Sequence, residues 1–335
     1  QKTAYEMLRI LVGSEMCIRD RAGCYRADCG CTRRRCASGD AVLVDDPTFP
    51  WQVTPSGVSM ARADGTGIVD GSRLGAAEDP IGDMPAFPGA TRTPLIFHTS
   101  RCGSTLLCRM LATGGSIVGL EPPFPFDLWA SPAPVPVNDG QVRWLAKRWR
   151  SSQAPAVLKL SSVCTPQLPT IRTAFAGSLP SVLITRSPTA TVRSWLYQPP
   201  PWVDLVRTYQ PSNGRARFSS FLIERWTSAV EAALAEPDDS VKVVTYDQLV
   251  DRPLDIADSL ATMWGLPRPD PAECERELTL YSKRPTGTDV TWAPAKARSR
   301  PELSWRLRLQ IERSTRDLWA EVRRRAISSP LVVER

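Results

Sequence analysis

Residues 93–111, TPLIFHTSRCGSTLLCRML, change character twice, and that double change decides the fold. Leu95, Ile96 and Phe97 form a short apolar run of the kind that a parallel strand buried on both faces requires. Leu106, Leu107, Met110 and Leu111 then recur at helical spacing. Between the two lies Ser100-Arg101-Cys102-Gly103-Ser104-Thr105. Glycine permits close backbone approach, the first helical turn leaves N–H groups without intrahelical partners, and the hydroxyls add donors. A strand, loop and helix built this way suit a phosphate or a sulfate.

Outward from this unit, strand-like and helix-like segments alternate. Residues 156–160, 182–185 and 241–245 read as three further strands. Helices are expected at about 141–150 and 165–176, after Pro188, through Phe218 to Leu234, at 254–264, at 271–281 and at 301–326. The helix after Pro188 carries Val192, Trp195 and Leu196, with Ser194 on its exposed side. Residues 117–120 are a short apolar piece. Glu121 to Trp129, EPPFPFDLW, is too rich in proline for a regular helix. Its Phe124, Phe126 and Trp129 either line a pocket or pin a rigid loop to the core. Strands alternating with helices imply an α/β fold with a central parallel β-sheet flanked by helices, right-handed crossovers, and a ligand at the carboxyl ends of the strands. The Ser100 loop, Lys159, Arg186 and Tyr246 each follow or end a strand, so they are expected to converge on one crevice. Lys159 interrupts an apolar strand near its end, where it either reaches solvent or points into an anion site.

Composition sets the outer limits. The 335 residues are 42% hydrophobic and 23% charged, enough to bury a sizeable core. A formal net charge of +7 favours a polyanionic partner. No run of about eighteen apolar residues occurs, so neither a transmembrane helix nor stable membrane insertion is expected. The arginines of the last long helix read as a solvated face rather than a nucleic-acid site. Scattered Cys102, Cys108, Cys164 and Cys274 suit reduced thiols and a cytoplasmic location. The spacing of Cys24, Cys29, Cys31 and Cys36 does not match paired zinc ligands, and no metal is expected. Residues 5–21, YEMLRILVGSEMCIRDR, resemble translated sequencing-adapter read-through. Residues 1–40 are therefore expected to carry no function. Residues 41–92 form a β-containing lead-in, 93–327 the α/β domain, and 328–335 a tail.

Three segments, in order, carry a family resemblance. SRCGSTLL at 100–107 resembles the 5′-phosphosulfate loop of the sulfotransferases. RSPTATVRS at 186–194 is similar to their 3′-phosphate motif, an Arg followed eight residues later by a Ser. YDQLVDRP at 246–253 is similar to the Y-E-D-L-x-x-x-P segment that follows a later strand. The resemblance spans roughly residues 93–284. It implies a three-layer, P-loop-like fold that uses 3′-phosphoadenosine 5′-phosphosulfate (PAPS) as co-substrate, with a small-molecule or peptide acceptor. Under it, Arg101, Cys102, Gly103, Ser104 and Thr105 hold the 5′-phosphosulfate, Arg186 and Ser194 hold the 3′-phosphate, and Tyr246 lines the nucleotide pocket. Glu121, twenty residues after Arg101, stands where the tyrosylprotein-type enzymes carry their catalytic Glu, and Lys159 would stabilise charge on the leaving phosphate. His98, the one histidine, lies on the amino side of the loop and has no counterpart among the histidine bases of the cytosolic enzymes.

The sequence departs from the family at Ser100, where Pro is usual, and at Cys102, where Ser is usual. No R-K-G segment is present, and Lys283-Arg284 is a weak substitute. A P-loop kinase needs G-x4-G-K-[ST], and the loop has neither the first Gly nor the Lys. Asp247 would have to act as its metal-binding carboxylate. A cysteine phosphatase would need Arg six residues after Cys102, where Cys108 stands. An inactive nucleotide-binding protein of the same fold is the alternative from a different class.

Overall fold

The structure, a computed structural model, describes residues 48–54, 57–62, 67–69, 74–79, 93–130, 141–142, 145, 156–175, 179–197, 214–279 and 302–328. In chain order the elements are β1 (Thr48–Thr54), β2 (Gly57–Arg62), β3 (Ile68–Val69), β4 (Leu74–Asp79), β5 (Leu95–His98), α1 (Ser104–Thr113), β6 (Ile117–Leu120), β7 (Ala156–Lys159), α2 (Leu168–Phe175), β8 (Ser181–Thr185), α3 (Pro188–Tyr197), α4 (Gly214–Leu234), β9 (Val241–Thr245), α5 (Tyr246–Asp251), α6 (Pro253–Trp264), α7 (Pro271–Thr279) and α8 (Trp305–Ser328). A π turn at Phe126–Ala130 and a 3₁₀ turn at Ser162–Gln167 lie between β6 and α2.

The apolar run that opens the loop unit is an inner strand of a six-stranded sheet in the order β3-β6-β7-β5-β8-β9. Every pairing in it is parallel. Side chains alternate across the strands and so build two cores. Leu95 and Phe97 join Leu158, Leu183 and the inner residues of α2 on one face. Ile96 joins Val118, Val157, Val182 and Ile184 beneath α1 and α6 on the other. Helices on both faces make the three-layer α/β arrangement that the continuous apolar runs imply. A third cluster, with Trp226 at its centre, packs α3, α4 and α8 together.

Connectivity then places the crevice. From β5 the chain crosses to one side to make β6 and β7, then returns past β5 to make β8 and β9. Crossovers that diverge on either side of one strand leave a gap above its carboxyl end, where parallel α/β sheets bind ligands. The residues expected to converge all sit along that edge.

Four readings change and one open alternative is settled. The piece at 117–120 is a full strand, β6, paired with β7 along its length, so Glu121 also follows a strand. Ile68 and Val69 of the lead-in pair with β6, so the lead-in supplies an edge strand of the main sheet as well as the antiparallel sheet β1-β2-β4. Ser194 is 1% exposed, on the inner side of α3 rather than its outer one. Phe124 and Phe126 are buried in the core. Phe124 and Trp129 pack against Phe175 at ring-centroid distances of 5.6 and 5.8 Å. They pin the Pro-rich loop to the core, the second of the two alternatives that the sequence leaves open. The expected helix beginning at Thr165 is split into the 3₁₀ turn and α2. Residues 1–40, Lys283-Arg284 and the tail beyond Ser328 lie outside the described residues. Among the described residues no helix is long and apolar enough to cross a membrane.

Candidate active site

The loop between β5 and α1 is tightly bent. Ser100 and Arg101 take φ values of 66° and 55°, and Gly103 takes 84°. A left-handed backbone costs a non-glycine residue about 1–2 kcal/mol, so the surroundings must impose it. Gly103 is required on two counts, because a Cβ there would also lie 2.9 Å from Leu249 Cδ2 and 3.6 Å from the Tyr246 ring. Gly103 is the N-cap of α1, and no side chain caps that helix or adds an acid to its first turn. The exposed donors and the positive end of the helix dipole are therefore available to an anion.

Cys102 anchors the bend from beneath. Its thiol is fully buried and donates to the Ile184 carbonyl at 3.1 Å. The expected anion contact of Cys102 is thus confined to its backbone, and the thiol replaces a hydroxyl in a structural role. Thr99 continues the attachment to β8, with its N–H donating to Ile184 O at 3.2 Å and its hydroxyl 3.1 Å from that of Thr185. Ser104 is buried, while Arg101, Gly103 and Thr105 are half-buried.

On one side of the loop the sheet order makes neighbours of the ends of β6, β7 and β5. Glu121 follows β6, Lys159 ends β7 and His98 ends β5. Glu121 is 7% exposed, Lys159 2% and His98 4%. The Lys159 ammonium is in direct contact with Glu121 Oε1. That pairing is how an apolar strand tolerates a lysine, since opposite charges in contact favour each other's ionised forms. Nε2 of His98 lies 3.2 Å from the same oxygen, close but poorly aligned for a hydrogen bond. The Glu121 N–H donates to the Lys159 carbonyl at 2.7 Å, and the Glu121 backbone is left-handed, with φ 58°. Among the described residues, the three non-glycine residues with positive φ are Ser100, Arg101 and Glu121. Strain of this kind, concentrated at one end of a sheet, accompanies function. Cys108 of α1 sits near Lys159; burial pushes its thiol up to about 12, against the smaller opposing effect of the lysine, so it stays neutral.

On the other side of the loop the ends of β8 and β9 bring Arg186 and Tyr246 together. The guanidinium lies 4.2 Å from the centre of the Tyr246 ring. The Arg186 carbonyl accepts from Trp226 Nε1 at 3.2 Å and from the Thr191 hydroxyl at 3.4 Å. Thr191 and Ser194 are one turn apart, and both are buried on α3. Thr245 caps α5 through a reciprocal pair with Gln248, which fixes Tyr246 at the helix start. Asp247 is exposed in the first turn of α5, not buried at a strand end as a metal-binding carboxylate would be.

The expected residues thus fall into one row along the sheet edge, with Glu121 and Lys159 in contact and Arg186 against Tyr246. The residue that sequence reading set aside is His98. Its signal was parity, because alternate residues of β5 face opposite cores and His98 falls on the side of Ile96, beneath α1.

Comparison with known proteins yields likeness of shape alone. No family model matches the chain and no curated protein matches it in sequence. Among solved structures, a sulfotransferase from Alicyclobacillus acidocaldarius is similar at 15% identity and a TM-score of 0.41, over 70% of this chain and 97% of that one. The sulfotransferase domain from the Synechococcus PCC 7002 olefin synthase is similar at 12% identity and a TM-score of 0.41, over 68% and 97% respectively.

Proposed function

We propose that this protein is a PAPS-dependent sulfotransferase in which Glu121 is the general base and the acceptor is a hydroxyl or an amine on a small molecule or a peptide. The observation that carries the reading is the juxtaposition of a donor-lined, uncapped anion loop with a buried carboxylate–ammonium pair at the same sheet edge. Sulfuryl transfer, like phosphoryl transfer, depends on positioning and on charge stabilisation, and needs no covalent nucleophile from the protein.

In this reading the loop N–H groups, Arg101, Ser104 and Thr105 hold the 5′-phosphosulfate. Arg186 and Ser194 hold the 3′-phosphate, and Tyr246 borders the nucleotide. Glu121 takes the proton of the acceptor as the acceptor oxygen or nitrogen forms its bond to sulfur. The bond between sulfur and the bridging oxygen breaks, and the electron pair stays with the 5′-phosphate as 3′,5′-adenosine bisphosphate leaves. Lys159 offsets the charge that develops there. With Oε1 of Glu121 engaged by Lys159, Oε2 is the oxygen that receives the proton. The buried thiol of Cys102, bonded to the Ile184 carbonyl, supports the active reading over an inactive protein of the same fold at that departure, while Ser100 remains the other.

The test supplies sulfur-labelled PAPS and phosphorus-labelled ATP, with a panel of alcohols, phenols, sugars, amines and peptides, with and without magnesium. Sulfate transfer is the expected result. Phosphate transfer from ATP in its place would sink the reading. Binding is checked separately by thermal stability with 3′,5′-adenosine bisphosphate, where ligand at a hundred times its Kd adds roughly 2.7 kcal/mol. Glu121→Gln is expected to keep that stabilisation and to lower kcat by about 10²–10⁴-fold.

A further inference from the structure

His98 is the only histidine of the chain, and each of its ring nitrogens faces a different part of the site. Nδ1 accepts the backbone N–H of Ser100 at 3.0 Å, at the first of the three left-handed residues that bend the anion loop. Nε2 lies 3.2 Å from Glu121 Oε1. The backbone carbonyl of His98 accepts from the Thr165 hydroxyl at 2.9 Å, so the pivot of the ring is held as well. Because Nδ1 is an acceptor, the neutral ring must carry its proton on Nε2, the nitrogen nearer the carboxylate, though poorly aligned with it.

Resting on the sulfotransferase reading, we infer that His98 is a positioning residue that couples the anion loop to the base, and that it does so only while neutral. A second proton would enter at Nδ1 and set two N–H donors against each other across the 3.0 Å now occupied by a hydrogen bond. The imidazolium and the present loop turn therefore exclude one another. The charged group that faces the ring is Glu121 after β6, which in turn holds Lys159 at the end of β7; Cys108 on α1 lies near Lys159 and remains a neutral thiol. From the β8 side the Thr185 hydroxyl reaches Thr99. Glu121 favours the imidazolium, and its own ion pair with Lys159 offsets that pull. The Ser100 N–H is then the contact that decides. Weak acid protonates His98, turns the loop and weakens nucleotide binding. It also loosens the carboxylate that the ring had helped to orient.

A single imidazole gives one pair of nitrogen resonances, so a long-range 1H–15N correlation spectrum of the full chain reads the tautomer without any turnover assay. The expected form is Nε2–H with unprotonated Nδ1, and its Nε2 resonance should move in Glu121→Gln. An Nδ1–H tautomer, or the averaged mixture of a solvated ring, would overturn the inference. His98→Asn places an acceptor near the Nδ1 position and nothing at Nε2, whereas His98→Gln does the reverse. His98→Asn is expected to bind 3′,5′-adenosine bisphosphate about as the unchanged protein does near pH 8, with kcat lowered roughly 10–100-fold by the misplaced base. Its affinity should lose the decline of the unchanged protein toward acid. Titration of the ligand's own phosphates is common to both proteins, so the difference between profiles reports His98. His98→Gln is expected to weaken binding more than it lowers kcat. Identical effects of both variants on Kd and kcat would overturn the coupling. If the unchanged protein binds no bisphosphate at all, the sulfotransferase reading fails, while the imidazole spectrum still decides whether His98 joins Ser100 to Glu121.

Discussion

The two flanks of the anion loop hold charge in opposite ways. On the β6 and β7 flank, Glu121 and Lys159 are buried and satisfy each other, with His98 beside them. On the β8 and β9 flank, Arg186 is half-buried and rests on an aromatic ring, with its backbone rather than its guanidinium tied into α3 and α4. A buried ion pair is integral to the fold, since removal of one partner strands the other in an apolar core. A guanidinium on a tyrosine face is only modestly engaged and keeps donors for a ligand. Under the proposed function, the first flank holds one carboxylate still and the second receives an anion.

That contrast can be broken from either side. Lys159→Met should have the largest effect on stability, a loss of about 3–5 kcal/mol, because Glu121 is left buried without its cation. Urea denaturation measures it, and a loss below 1 kcal/mol would show that the pair is not integral to the fold. Arg186→Met should reverse the pattern. Its stability is expected to change by less than about 1 kcal/mol, while affinity for 3′,5′-adenosine bisphosphate falls by roughly 1.5–3 kcal/mol, as for loss of a charged hydrogen bond. Calorimetric titration beside the same denaturation curve tests both halves of that statement. The smallest effect belongs to the loop between the flanks. Cys102→Ser keeps a donor to the Ile184 carbonyl, so stability should move by no more than about 1 kcal/mol and bisphosphate affinity should not move at all. A large loss of affinity would mean that the thiol faces the ligand after all.

Much of this architecture was legible because parallel strands buried on both faces leave apolar runs, as β5, β7 and β8 do, and edge strand β9 keeps three valines around Lys242. β6 was read only as an apolar piece because it is four residues long and contains Gly119, which weakens any strand pattern. Two-residue β3 leaves no periodicity to detect. The inward side of α3 was misjudged at Ser194 because the reading followed Val192, Trp195 and Leu196, and a small hydroxyl among them adds no hydrophobic signal. The association of His98 with Glu121 was hidden for another reason. They are twenty-three positions apart and belong to β5 and β6, which are not adjacent, because β7 lies between them. The left-handed backbone of Glu121, just beyond β6, accompanies the approach of its carboxylate across the end of β7 to His98.

That same strand order has a kinetic consequence. The edge that carries the site is complete only when strand ends from residue 98 to residue 245 have come together, and contacts of such sequence separation form slowly because loop closure precedes their reward. Each flank comes from its own stretch of chain, residues 98–159 and 186–246, and the edge is whole only when both stretches have docked side by side. A ligand that bridges the loop and Arg186 would therefore recognise the finished sheet and little that precedes it. Such a ligand should leave the folding rate almost unchanged and act by slowing unfolding.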